Sequence, residues 1–361
     1  MANNSAVAPP CAPGPVFLAG PTAVGKSAVA LALAEAIGGE IISVDSMQVY
    51  RGLDLGTAKP TTAEQARVPH HLLDVSELRA AFDAAQFVRL AQTAMQEIQA
   101  RGRTPIFCGG TGLYFTAFLE GLGEAPATNE KLRAELAAAP LAELLAELQA
   151  RDPATFENID RKNPRRVLRA VEVIRLTGRK YSEQRAAWSA ASLDRGDLPG
   201  PPDLPTAHEP SDGSAGHRPG SMQANTCQQA GSETGAPAHG QAAPMFCFTR
   251  RPEDLHRRIH ARVDEMFARG LVEETRRLLT QGLAENQNAM QAIGYRQVVE
   301  HLRGERGLAE TIALVKTRTR QFAKRQLTWF RRHGHWQRVE LPPEETPQET
   351  LARIMQTGCV M

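Results

Sequence analysis

The 361-residue chain contains no C-x-x-C pair, and its five cysteines (Cys11, Cys108, Cys227, Cys247, Cys359) are scattered along its length. That spacing argues against a disulfide framework or a structural zinc site and leaves idle or buried thiols. No apolar run is long enough to cross a membrane, and Met1 to Pro15 has neither the basic n-region nor the apolar h-region of a signal peptide. A cytoplasmic protein without membrane contact is expected. No internal repeat stands out. Excess charge is also lacking: the formal net charge is +2, which would argue against nucleic acid if the charge were evenly spread. It is not. The hydrophobic content of 42% is ordinary for a globular chain with room for about two domains.

What is present begins with Gly20-Pro21-Thr22-Ala23-Val24-Gly25-Lys26-Ser27, directly after the apolar run Val16 to Ala19 and before the helical pattern Val29 to Ile37. It fits the phosphate-cradling pattern G-x-x-x-x-G-K-[ST]. The glycines let backbone N–H groups converge on phosphate oxygens, Lys26 supplies a cation, and the Ser27 hydroxyl can ligate Mg²⁺ at a helix N-terminus. On this loop alone the ligand could be ATP or any other diphosphate.

Glu40 to Val44 is a second short β-branched run, ending at Asp45. Pro105 to Cys108 is a third, ending in Gly109-Gly110-Thr111-Gly112. Strands that alternate with helices and end in polar or glycine-rich turns predict an α/β fold, a P-loop NTPase-like parallel sheet whose ligand chemistry lies at the strands' C-terminal edge. Asp45 and Thr111 therefore fall near the phosphate loop. Asp45 could hold a metal through water or act as a general base, or it could cap the next helix. The adjacent His70 and His71 suit a structural role better than a metal site, because nothing nearby completes a ligand set.

The expected domain plan is a core of residues 15–125 and 245–345 with C-terminal helices, and a helical insertion domain at 126–189. A disordered N-terminus (1–14), a low-complexity insert (190–244) and a tail (346–361) complete it. The insert is rich in Pro, Gly, Ser, Ala and Gln, which cannot offset the entropy of ordering. Two basic clusters break the even charge. Arg165, Arg166 and Arg169 occupy neighbouring positions of a helix that Pro164 can start, with nothing acidic until Glu172. From Lys316 to Arg332 there are seven basic residues and no acidic one, interleaved with Phe322, Trp329 and Phe330. Basic charge beside aromatic rings suits an RNA backbone with splayed bases, although such rings are more often core than platform.

These segments, with Asp45-Ser46-Met47-Gln48-Val49-Tyr50, Gly56-Thr57-Ala58-Lys59-Pro60, Pro69-His70-His71-Leu72, Gly109-Gly110-Thr111-Gly112-Leu113-Tyr114, Arg166-Val167-Leu168-Arg169-Ala170, Gln291-Ala292-Ile293-Gly294-Tyr295-Arg296 and Lys324-Arg325-Gln326-Leu327-Thr328-Trp329-Phe330-Arg331, resemble the tRNA dimethylallyltransferase family. The resemblance covers nearly the whole chain in order, except both ends and the insert. It implies Mg²⁺-dependent transfer of a dimethylallyl group from dimethylallyl diphosphate to N6 of the adenosine immediately 3′ of the anticodon, in tRNAs reading codons that start with U, without ATP hydrolysis. By the family's pattern Gly20 to Ser27 hold the diphosphate, Asp45 takes a proton from the attacking amine, and Thr111 and Lys26 lie at the reacting centre. Arg258 or Arg262 assists the diphosphate. Contacts to the tRNA anticodon stem-loop are implied for Asp45 to Gln48, Thr111, Arg133, Arg165 to Arg169, Gln291 to Arg296 and Lys324 to Arg331. A monomer is the expected state. Two features depart from the family: the insert is longer, and Arg165 stands where Gln is usual. Transfer to free adenylate, a small-molecule kinase and a non-catalytic RNA-binding protein are the competing readings.

Overall fold

The computed structural model describes residues 14–121, 126, 129–184, 243–333 and 335–356. At its centre β1 (Val16–Ala19) is buried at every position, as a run of consecutive apolar residues in a central parallel strand should be. It pairs in parallel with β4 (Pro105–Gly109) on one side and β5 (Met245–Thr249) on the other. Beyond β4 lie β2 (Glu40–Val44) and the two-residue β3 (His70–His71), and beyond β5 lies β6 (Gln337–Glu340). The sheet order is β3-β2-β4-β1-β5-β6, with every pairing parallel. All six strands therefore end on one edge, where β1, β2 and β4 deliver the phosphate loop, Asp45 and Thr111 side by side.

Successive strand residues point to opposite faces, and two cores result. Phe17 joins Ile42, Phe107, Phe115, Tyr295 and Phe330 on one side, while Leu18 joins Leu33, Ile106, Phe246 and Ile259 on the other. The flanking helices are α1 (Lys26–Ile37), α2 (Thr62–Arg67), α3 (Ala84–Ala100) and α4 (Gly112–Glu120). The strands read from apolar runs coincide with β1, β2 and β4. By contrast β6 gave no such signal, because only Val339 of its four residues is buried.

The insertion consists of α5 (Glu130–Ala138), α6 (Leu141–Arg151), α7 (Pro153–Asn158) and α8 (Pro164–Thr177). Leu136, Leu144, Leu148, Val167, Val171 and Ile174 give it a core of its own. Helix α8 starts at Pro164, where a missing N–H costs nothing, and the Asn163 side chain accepts from the Arg166 N–H.

After β5 come α9 (Pro252–Ala268), α10 (Leu271–Thr280), α11 (Tyr295–Leu302) and α12 (Leu308–Arg332), with α13 (Pro347–Gln356) after β6. Helices α9 and α12 pack together, with Lys316 Nζ 2.7 Å from Asp264. Among the described residues no helix is long and apolar enough to cross a membrane. The disorder expected at the N-terminus and in the insert falls almost wholly outside the described residues.

Candidate active site

A cavity of ≈ 370 Å³ opens at the strand edge. The phosphate loop, the turn after β2, the turn after β4 and the Gly56–Ala58 loop form one side; facing helices α9 and α12 form the other. Thr22, Lys26, Ser27, Asp45 to Gln48, Thr111 and Arg262 all line it, joined by Gln291 to Ile293, Arg325 and Gln326. Residues read from six separate sequence segments thus share one space.

The loop itself is held from behind. Gly25, at φ 111°, takes a left-handed conformation that glycine adopts without a Cβ penalty, and α1 begins at Lys26. Arg250 Nε donates to Val24 O at 2.7 Å and Arg258 Nε to Ala23 O at 2.9 Å. Two loop carbonyls are thereby occupied from outside. The pair of candidate arginines separates: Arg258 braces the loop, whereas Arg262 lines the cavity and sits close enough to Asp45 to feel its charge. Burial lowers the affinity of the Lys26 ammonium for its proton, partly offset by nearby Asp45. The same burial pushes the neighbouring Cys108 thiol up to about 11, so it is a neutral wall rather than a nucleophile.

Asp45 takes the capping role that the sequence offered as one of its alternatives. Its Oδ1 accepts from the Met47 N–H at 2.8 Å and the Gln48 N–H at 3.3 Å, capping a turn rather than a helix. Oδ2 makes no such bond among the described residues, and Asp45 lines the cavity. Thr111 Oγ1 accepts from the Ser46 N–H at 3.1 Å, which leaves the hydroxyl hydrogen for another partner. Gln48 takes the Ser43 hydroxyl on Oε1 and donates from Nε2 to Thr57 O at 3.2 Å, tying the Gly56–Ala58 loop to the end of β2.

That loop has a second anchor which single-sequence reading missed. Buried Glu274 accepts from the Leu55 N–H and from Tyr295 Oη at 2.6 Å, while Tyr295 Oη accepts from the Gly56 N–H at 3.1 Å. A carboxylate on the buried face of amphipathic α10 was the available signal. Arg250 was missed too, though it stands at the polar end of a strand. Phe322 lines the cavity, and Arg325 lies over its ring at 5.8 Å.

The remaining candidates, and some that line the cavity, differ in how deeply they sit. Phe330 is buried among Phe115 and Trp336, and Trp329 rests on Gly112 and stacks on His333 with centroids 3.8 Å apart. Gln326, Ala292, Gly294 and Tyr295 are also interior, whereas Gln291, Arg296, Lys324, Arg325, Thr328 and Arg331 are exposed and Leu327 is half-buried. In the insertion Val167 is core and Leu168 half-buried. Arg169 Nη1 lies 2.9 Å, and Arg133 Nη2 3.5 Å, from fully buried Glu172. Arg165 and Arg166 are exposed. His71 meets Glu40 at 2.7 Å, consistent with a structural role for the histidine pair.

A family model described as IPP transferase matches residues 48–198 and 216–333. Over 334 residues the chain is 41% identical to tRNA dimethylallyltransferase 1 of Trichlorobacter lovleyi, covering 91% of this chain and 94% of that one. It is 40% identical over 331 residues to tRNA dimethylallyltransferase of Geobacter metallireducens, covering 91% and 92%. Among solved structures, a tRNA isopentenylpyrophosphate transferase from Bacillus halodurans superposes with a TM-score of 0.61 at 32% identity, covering 97% of each chain. A eukaryotic dimethylallyltransferase acting on tRNA shares the fold, with a TM-score of 0.66 at 24% identity over 91% of this chain and 74% of that one.

Proposed function

Because the chain belongs to the IPP transferase family, we propose that it transfers a dimethylallyl group from dimethylallyl diphosphate to N6 of the adenosine immediately 3′ of the anticodon in tRNA. The observation that carries this reading is the meeting of a phosphate loop with Asp45 and Thr111 in one cavity flanked by basic α12. A kinase would need the loop but no such RNA-sized basic surroundings.

In the reaction the N6 lone pair forms a bond to C1 of the donor while the C1–O bond to diphosphate breaks. Charge builds on the departing diphosphate. Lys26, Arg262 and the loop N–H groups neutralise it inside a partly buried site, where they are worth more than in water. Adenine's exocyclic amine is a poor nucleophile, so the proton it sheds needs an acceptor. Oδ2 of Asp45 suits that task because Oδ1 is pinned by two backbone N–H groups, which fixes the carboxylate plane. Thr111 offers a hydroxyl hydrogen at the same spot. A loop adenine must leave its stack to reach this depth, and half-buried Phe322 and Met47 offer it apolar contact.

The donor set suits Mg²⁺. The Ser27 hydroxyl lines the cavity beside Lys26 and would be the ligand this chain offers the ion. When bound, the ion would add positive charge beside the leaving group.

Incubation with labelled dimethylallyl diphosphate and unmodified tRNA, without ATP, should label the tRNA. Label on free AMP but not on tRNA would instead support the adenylate-directed reading, and ATP-dependent phosphorylation would support the kinase.

A further inference from the structure

We propose that Gln326 is a positioning residue that sets the spacing between the diphosphate loop and the proton-accepting turn. The inference rests on the prenyl-transfer reading above. In sequence Gln326 sits among lysines and arginines, and the family resemblance groups it with residues that touch RNA. Its surroundings assign it differently. It is only 7% exposed, and both ends of its amide are engaged inside the protein. Oε1 accepts from the Thr22 N–H at 2.8 Å, and Nε2 donates to Gly110 O at 3.0 Å.

Those two bonds complete a chain. Thr22 belongs to the phosphate loop; Gly110 precedes Thr111, whose Oγ1 accepts from the Ser46 N–H at 3.1 Å, and Ser46 follows Asp45. Through Gly110, Thr111 and Ser46, one carboxamide thus connects the loop that would hold the leaving group to the turn that carries the base, although β1 and β2 deliver them separately with β4 between them. A neutral amide offers both a donor and an acceptor at this reach, whereas ionised glutamate lacks the donor and charged lysine the acceptor. Gly110 fits the same picture, since a Cβ there would collide with the Gln326 amide. Because a misplacement of about 1 Å can cost about a hundredfold in rate, losing this link should slow the chemical step and spare RNA capture.

Gln326→Leu removes both bonds at similar volume, and Gln326→Glu keeps the acceptor while losing the donor. With both substrates saturating, the leucine variant should react about 100-fold more slowly in a single turnover. Its tRNA Kd should stay within about threefold of wild type. Hydrogen exchange at the Thr22 amide should rise, a readout that needs no turnover. Gln326→Glu should be slow at about pH 8 and regain about tenfold relative to wild type near pH 5.5, where a protonated carboxyl can again donate to Gly110. A merely structural role would not produce that recovery. A raised tRNA Kd with an intact single-turnover rate, a flat pH ratio for the glutamate variant, or unchanged Thr22 exchange would overturn the proposal. Wild-type enzyme in parallel separates the two readings: no transfer by wild type refutes the activity, whereas Thr22 exchange still judges the link.

Discussion

Asp45 lines the cavity with Oδ1 tied down by two backbone N–H groups, so under the proposed reaction its removal should affect chemistry and local backbone together. Asp45→Ala is expected to lower kcat by about 10³-fold with tRNA affinity within about threefold, measured by single-turnover rates and filter binding. Equal losses in both would make it a binding residue. Lys26 yields a pH prediction. Burial puts its proton affinity below the ordinary lysine value of 10.5, so its charge is lost, as pH rises, earlier than that of an exposed lysine. Donor KM should therefore climb with rising pH before an exposed lysine would titrate, and Lys26→Arg, which stays charged, should show a flatter profile. Asp45, Thr111 and Lys26 were legible because each stands in a short motif at a strand end. Arg250 and Glu274 were not, since the backbone groups they hold lie 226 and 219 residues away in the chain. A single sequence gives no sign of such pairings.

Helix α8 divides its arginines by what they face. Arg169 is bound to buried Glu172 and to Pro126 O, so its guanidinium also holds the insertion together. Replacing Glu172 by alanine should leave Arg169 and Arg133 without their partner and cost about 3 kcal/mol, read by urea denaturation. Arg165 and Arg166 are free of that duty. The double change to alanine should leave stability within about 0.5 kcal/mol and reduce the slope of log Kd for tRNA against log salt by about 1 to 2. An unchanged slope would remove them from the RNA interface. At this scale the strands with consecutive apolar residues and the proline-started helix were readable, since burial on both faces and the absent N–H each leave a local mark. Buried Glu172 left no such mark. In sequence it reads as one more solvated charge on a basic helix, and only folding reveals that it neutralises two arginines.

For the whole molecule, a parallel sheet gathers six strand ends at one edge, and two long helices close the space above it. The residues between 198 and 216 lie outside the matched family segments, and their composition offers little apolar surface. Deleting residues 199–215 should leave kcat/KM for tRNA within about threefold, since a segment with so little to bury contributes little to a packed site. A folded but inactive deletion would give the segment a catalytic part. In the proposed reaction a nucleotide-type phosphate loop serves as a leaving-group site. That role is tested most directly by quantifying released diphosphate and mapping the product by mass spectrometry in one reaction of tRNA, dimethylallyl diphosphate and Mg²⁺ without ATP. One diphosphate per prenylated adenosine, at the single position 3′ of the anticodon, is the predicted result. Diphosphate release without prenylated tRNA, or a requirement for ATP, would contradict it.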